Sequence, residues 1–330
     1  MIPVYMINGF LDSGKTEFIQ YTIAQPYFQM RAETLLIVCE EGDIEYDATL
    51  LKKSRTVMEL IEDEEDFTAQ NLIELEKKHK PARILIEFNG MWNSKNVKLP
   101  WHWKLEQQIT CIDGSTFSTY FTNMKSLLAE HIRKSELIIM NRCDNIIEQI
   151  PTYKRNIKAI NQNAEIIFED KNGEVNATLE EDLPFDVGAD VIDLDDTGYG
   201  IWYIDVLDNM QRYAGKTISY VGMVLHPENF PKGYFVPGRM AMTCCAEDMA
   251  FLGYACKYDQ ADTLKQKEWV KVTAKVAIEY FEDYGKEGPV LHAISVEKTK
   301  APKEEVISFV QAVNKSCNPK EHDILYKLSA

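Results

Sequence analysis

Eight residues near the start of the chain, Gly9-Phe10-Leu11-Asp12-Ser13-Gly14-Lys15-Thr16, carry the spacing G-x-x-x-x-G-K-[ST]. In that spacing, successive backbone N–H groups and the positive end of the following helix converge on a bound phosphate. The Lys15 ammonium then reaches the β- and γ-phosphates, and the Thr16 hydroxyl is a ligand for Mg²⁺. Gly9, Asp12, Ser13 and Gly14, with Glu17 in the first helical turn, complete the candidate nucleotide-binding residues of this segment. This chemistry belongs to a nucleoside triphosphate site. The loop is expected to be exposed, so that Lys15→Ala removes a charge without disturbing the fold.

Both flanks suit a strand–loop–helix unit. Ile2 to Ile7 is an apolar, strand-like run, and Phe18, Ile19, Thr22 and Ile23 recur at helical spacing. Further strand-like runs cover residues 34–39, 83–88, 108–112, 137–140 and 165–168, with helical text between them, which predicts βαβ units on a mostly parallel sheet. Ligands on such sheets bind beyond the carboxyl ends of the strands. Three of those ends carry polar groups at useful spacing. The second run leads into Glu40, Glu41, Gly42 and Asp43, and on to Tyr46 and Asp47. The third leads into Glu87, whose carboxylate can hold Mg²⁺ or its water shell, and Gly90, whose N–H can approach a γ-phosphate. The fifth leads into Asn141-Arg142-Cys143-Asp144, in which Asn141 can bond a base edge and Asp144 can accept two N–H bonds from guanine.

The chain has 330 residues, long enough for two domains, and a formal net charge of -16 that speaks against a nucleic-acid binder with a basic surface. No apolar run is long enough to span a bilayer and the start of the chain reads directly into the loop, so a cytoplasmic location is expected. Seven scattered cysteines do not make a disulfide framework. Beyond the first domain, 1–170, an acidic linker is expected over 171–212, with a short strand near Val191 to Leu194 and a helix from Trp202 to Ala214. Runs at 217–225, 239–245, 251–256, 269–281 and 290–296 then predict a small β-barrel of the OB kind over 213–300, followed by a helix over 303–313 and a tail. Cys244 and Cys245, with His226 and Cys256, are candidate ligands for a transition metal such as Zn²⁺. Adjacent strand residues point to opposite faces, and the competing reading makes these cysteines packing residues.

Over residues 1 to 170 the sequence resembles the CobW, HypB and UreG group of P-loop GTPases. The resemblance rests on the phosphate loop, Glu40 with Gly42 and Asp47, Ile84 through Gly90, Ile112-Asp113, and Asn141 to Asp144. It implies GTP and Mg²⁺ binding, slow hydrolysis, and switch segments at Glu40 to Asp47 and Glu87 to Gly90. It also implies that Glu40 lies near the metal, that Glu87 belongs to the Mg²⁺ region, and that Asn141 and Asp144 read guanine. Three departures stand out. Residues 50–80 hold no cysteine, so the family's C-x-C-C metal motif is absent; Asp12 stands at a usual glycine; and Arg142 replaces a lysine that packs along the loop. The acidic residues Glu59 and Glu62 to Asp66 occupy the region instead, readable as an ion patch or as a solvated face. Over 213–300 the text resembles the soluble domain of YcgQ-like permease subunits, carried by Gly215-Lys216-Thr217, Arg239 to Asp248 and Glu268 to Val272. That implies a permease partner. The readings left open are a GTPase linked to metal homeostasis or a permease, a nucleotide-gated binding module with negligible hydrolysis, and a small-molecule kinase.

Overall fold

The computed structural model describes residues 1–175, 183–228, 230–242 and 249–308. Two units divide the chain: Met1–Ile150 with Ile160–Thr178, and Pro151–Ala159 with Leu179–Ala330.

The first unit is built on β1 (Ile2–Asn8), α1 (Lys15–Ala24), β2 (Thr34–Val38), α2 (Ala48–Lys53), β3 (Thr56–Leu60), α3 (Ala69–His79), β4 (Arg83–Glu87), β5 (Trp103–Asp113), α4 (Phe117–Asn123), α5 (Lys125–Arg133) and β6 (Leu137–Asn141). After α6 (Ile150–Ile160), most of which groups with the second unit, β7 (Glu165–Asp170) and β8 (Gly173–Glu174) complete it. The sheet order is β3-β2-β4-β1-β5-β6-β7-β8, parallel throughout except for β8. This is a P-loop NTPase-like α/β fold. Strand alternation explains why its central strands read as unbroken apolar text. Leu35 and Ile37 of β2 join Val4, Met6, Ile84 and Ile86 in one core with Leu72 of α3. Leu36 and Val38 face the other way, with Ile7, Leu85 and the α1 residues Ile19 and Ile23.

The second unit contains β9 (Val191–Asp193), α7 (Asp196–Asp208), α8 (Met210–Tyr213), β10 (Thr217–Leu225), β11 (Tyr234–Met242), β12 (Met249–Gly253), β13 (Cys256–Lys257), β14 (Trp269–Phe281), β15 (Lys286–Lys298) and β16 (Val306–Ser308). Its pairings form a ring: β10 with β11, β11 with β13, β13 with β15, β15 with β14, and β14 back to β10. Only the β13–β15 pair in the ring is parallel. Inside the same core lie Ile218, Tyr220, Val270, Val272, Val276 and Leu291 together with Tyr199 and Trp202 of α7.

Three sequence expectations change here. The predicted helix from Trp202 begins at Asp196, because the Asp195 side chain caps it by accepting from Gly198 N–H at 2.6 Å; Gly198 and Gly200 are packed helical residues, not turn residues. The strand Thr56–Leu60 was not expected: it pairs only with β2 and alternates buried and exposed positions, a short edge-strand pattern after a lysine-rich helix. Of the helix expected over 303–313, residues Val306–Ser308 instead form a strand beside β11, and 309–313 lie outside the described residues.

Candidate functional site

The phosphate loop follows β1, and three of its residues have positive φ: Gly9 (140°), Asp12 (57°) and Gly14 (97°). Aspartate tolerates the left-handed region better than most residues, which is why Asp12 can stand at a glycine position. Gly14 precedes α1 with no side-chain cap, so the first-turn N–H groups of α1 remain free to point at an anion. By contrast, the side chains of Asp47 and Thr68 cap α2 and α3.

Lys15 is buried, at 3% exposure, contrary to the exposed loop expected. Its Nζ donates to Gly9 O at 3.0 Å and Phe10 O at 2.9 Å, which bends the ammonium back across the loop, and it pairs with the Glu40 carboxylate. Thr16 Oγ1 donates to Glu87 Oε1 at 2.9 Å, and the Tyr46 hydroxyl donates to Glu87 Oε2. Burial pushes the Glu87 carboxyl above its ordinary range, opposed by the bonds from Tyr46 and Thr16 and by the Lys15 charge. Burial also raises the Tyr46 phenol, with the Glu87 charge adding to the effect, so Tyr46 remains a donor at neutral pH. A hydroxyl and a carboxylate in contact form an oxygen donor pair suited to Mg²⁺, which takes one or two protein ligands and fills the rest of its shell with phosphate and water. Lys15, Thr16, Glu40 and Glu87 line a cleft of ≈ 290 Å³ with Asp12, Gly14, Gly42, Asp43, Asp113 and Arg142.

The fourth motif closes onto the same loop. Asn141 Nδ2 donates to Ser13 O at 2.8 Å and holds the loop, while its Oδ1 has no partner among the described residues. A Cβ on Gly14 would meet that Nδ2 at 2.3 Å, which leaves glycine as the residue that fits. Arg142 does the packing expected of the lysine it replaces: Nη1 donates to Asp12 O and to Asp113 Oδ2, each at 2.7 Å, and Nη2 to Glu17 Oε1 at 3.2 Å. Burial works to raise the Asp113 carboxyl, but bonds from Ser115 and Arg142 prevail and hold it below its ordinary range. Asp144 lies apart from this cluster, accepting from Lys171 N–H at 3.4 Å.

Gly90 sits flush on the loop: a Cβ there would meet Gly9 O at 2.2 Å and Phe10 Cα at 2.9 Å. No role was assigned from sequence to Tyr46, which bonds Glu87, or to His131, which bonds Gly90 O. For Tyr46 the signal was its place directly before the Asp47 cap in the segment after β2. His131 reads as an ordinary residue of an amphipathic helix.

The metal candidates of the second unit do not form a centre among the described residues. His226 Nε2 contacts Leu264 O at 3.1 Å, and Cys256 is fully buried in the ring, where burial raises its thiol. No group of three or more His, Cys, Asp or Glu side chains placed to hold a metal occurs among the described residues, and Cys244-Cys245 lies outside them. Cys39, Cys111 and Cys143 are free and buried, packing as small apolar groups. Of the acidic run, Glu59 pairs with Lys78 and His79, while 62–66 are exposed at a short turn. No described helix is long and apolar enough to cross a membrane.

Comparison with known proteins decides the family. Residues 3–168 match the CobW/HypB/UreG nucleotide-binding domain. The chain belongs to the CobW/HypB/UreG family. Residues 170–307 of this CobW/HypB/UreG member match the DUF1980 C-terminal domain. Among solved structures, it is similar to the hydrogenase maturation factor HypB of Archaeoglobus fulgidus, with 21% identity over 52% of this chain and 84% of that one and a TM-score of 0.39. It is also similar to Zn(II)-bound YjiA GTPase from E. coli, with 16% identity over 76% and 94% and a TM-score of 0.40. HypB from Helicobacter pylori in complex with nickel matches at 14% identity over 51% and 80%, with a TM-score of 0.35. No curated protein matches the chain significantly in sequence.

Proposed function

We propose that this CobW/HypB/UreG member is a Mg²⁺-dependent GTPase whose nucleotide cycle acts on its second unit, in metal homeostasis or in work linked to a permease. The observation that carries the reading is the convergence of Lys15, Thr16, Glu40 and Glu87 on one cleft beside an uncapped helix start, with Gly90 packed against the same loop. Lys15 and the loop amides neutralise phosphate charge, and the Gly90 N–H faces the γ-phosphate as water attacks it. Thr16 and Glu87 would hold Mg²⁺, which supplies charge neutralisation across the phosphate oxygens. Lys15 can reach phosphate only by exchanging the Glu40 carboxylate for a phosphate oxygen, and that exchange frees Glu40 for the metal's water shell. The ring order of the second unit, numbering β10, β11, β13, β14 and β15 as one to five, is 1-2-3-5-4-1 with three and five parallel, which supports an OB-like barrel as the module the cycle acts on. The family match supports the metal setting, and the resemblance of residues 213–300 to the soluble domain of YcgQ-like permease subunits suggests a permease-linked one. A cytoplasmic site of action fits a nucleotide-dependent cycle.

The test is turnover: GTP hydrolysis by the purified chain that requires Mg²⁺ supports the reading, and tight GTP binding with no turnover assigns the chain to the nucleotide-gated alternative. For base choice, Asp144→Asn is expected to lower the preference for GTP over ATP by about 1–3 kcal/mol, the scale of a bidentate base contact. Competition binding with the two nucleotides measures it. A wild-type chain preferring ATP would refute the assignment of Asp144.

Proton competition at Glu87 gives a second expectation. Metal binding needs the ionised carboxylate, so Mg²⁺-dependent turnover falls as pH drops through the raised Glu87 range. Tyr46→Phe removes a hydrogen bond that stabilises the ionised form and moves this acid limb to higher pH. A pH–rate profile of the two proteins checks it; superimposable limbs would remove Tyr46 from the metal site.

A further inference from the structure

His131 is fully buried on α5 and fixed at both ends. Its carbonyl oxygen accepts from Thr110 Oγ1 at 2.9 Å, Ser135 Oγ at 2.8 Å and Gln108 Nε2 at 3.3 Å, which ties this turn of α5 to β5. At the other end its Nε2 lies 2.9 Å from Gly90 O. A carbonyl only accepts, so Nε2 carries the proton and Nδ1, which has no partner, is the bare nitrogen. Burial pushes the imidazole down to about 4, against the favourable Gly90 bond, and keeps it neutral at physiological pH. The ring also packs edge-on against Phe10 of the phosphate loop, with centroids 4.9 Å apart.

The planes on either side of Gly90 each carry one further bond, Met91 N–H to Asn89 Oδ1 at 2.9 Å and Trp92 N–H to Asn89 O at 3.2 Å. Phe88 N–H bonds Ile7 O at 2.9 Å and Asn89 Nδ2 reaches Cys39 O at 3.3 Å, which fix the chain before Gly90 and leave its own carbonyl to His131. The Gly90 carbonyl shares its peptide plane with Met91 N–H, and the Gly90 N–H, the group directed at phosphate in the reading above, lies in the preceding plane with Asn89 C=O. A bond to Gly90 O therefore acts on the N–H by limiting rotation about the shared Gly90 Cα, the torsional freedom that glycine leaves open.

We propose that His131 is a positioning residue that holds the backbone after β4 at Gly90 against the phosphate loop, so that the Gly90 N–H is presented in a fixed orientation to the γ-phosphate. The second half of this statement rests on the GTPase reading; the first does not. The two are separated by measuring amide exchange and turnover on the full chain. His131→Leu keeps a similar volume but has no donor, whereas His131→Gln keeps an N–H that can reach the carbonyl. In the Leu variant, amides of residues 89–92 are expected to exchange about tenfold faster, the scale of one lost hydrogen bond, with β4 itself unchanged. Turnover of GTP should fall by about tenfold with KM little changed, because the lost contact acts in the transition state. The Gln variant should recover most of both. Equal exchange in wild type and the Leu variant overturns the clamp. Faster exchange with unaltered kcat overturns the link to phosphate while leaving the clamp. A wild-type chain without turnover defeats the GTPase reading, and exchange alone still decides the role of His131.

Discussion

Lys15→Ala is expected to weaken nucleotide binding by about 3 kcal/mol or more, on the order of a hundredfold in Kd, because several charge-assisted contacts to phosphate are lost together. The loss has a second source in this chain. Lys15 is buried and bonds the carbonyls of Gly9 and Phe10, so the alanine variant also removes the brace that shapes the loop, and leaves Glu40 without its cation. A structural cost is therefore expected beside the functional one. Lys15→Arg keeps the charge but has a bulkier, planar head with no room beside Gly9 and Phe10, and should recover little. Titration with a fluorescent GTP analogue reads affinity, and thermal unfolding reads the brace. An alanine variant that binds GTP as tightly as wild type would end the phosphate-loop assignment.

The second large effect lies in the other unit. Trp202 is fully buried, with its ring within 5.8 Å of Tyr199, 5.9 Å of Tyr220 and 5.6 Å of Tyr254. Trp202→Ala should destabilise that unit by about 3–5 kcal/mol, a large share of the stability of a small domain. Trp202→Phe should cost much less, since the indole N–H has no hydrogen-bond partner to lose and most of the ring volume is kept. Denaturant unfolding followed by circular dichroism distinguishes the two. Equal midpoints for wild type and the alanine variant would show that α7 is not part of the ring's core.

The phosphate loop was legible because its chemistry needs fixed residue types at fixed spacing, and the parallel sheet because strands covered on both faces must be apolar throughout. The ends of β10 and β14 were legible for a related reason: glycines and charged residues flank long alternating runs. What escaped were contacts between residues far apart in sequence. Tyr46 meets Glu87 across 41 residues and His131 meets Gly90 across 41, and neither pair has a local pattern. A barrel was expected, but the pair that closes it was hidden, since nothing in Cys256 or Lys257 announces that two residues will bridge β11 and β15. The start of α7 was masked by Gly198 and Gly200, whose turn preference is overridden by the Asp195 cap and the packing of Tyr199 and Trp202.

The Lys15–Glu40 pair makes the protein a competitor for its own ligand. Apparent nucleotide affinity falls in proportion with the fraction of time the ammonium is free of the carboxylate. Under the GTPase reading, a site so weakened responds to triphosphate over a higher concentration range than one with an unopposed lysine. Glu40→Gln, assayed without Mg²⁺ to leave the metal shell out of account, should therefore bind nucleotide more tightly than wild type. The carboxylate would then set the concentration of triphosphate at which this loop is half occupied.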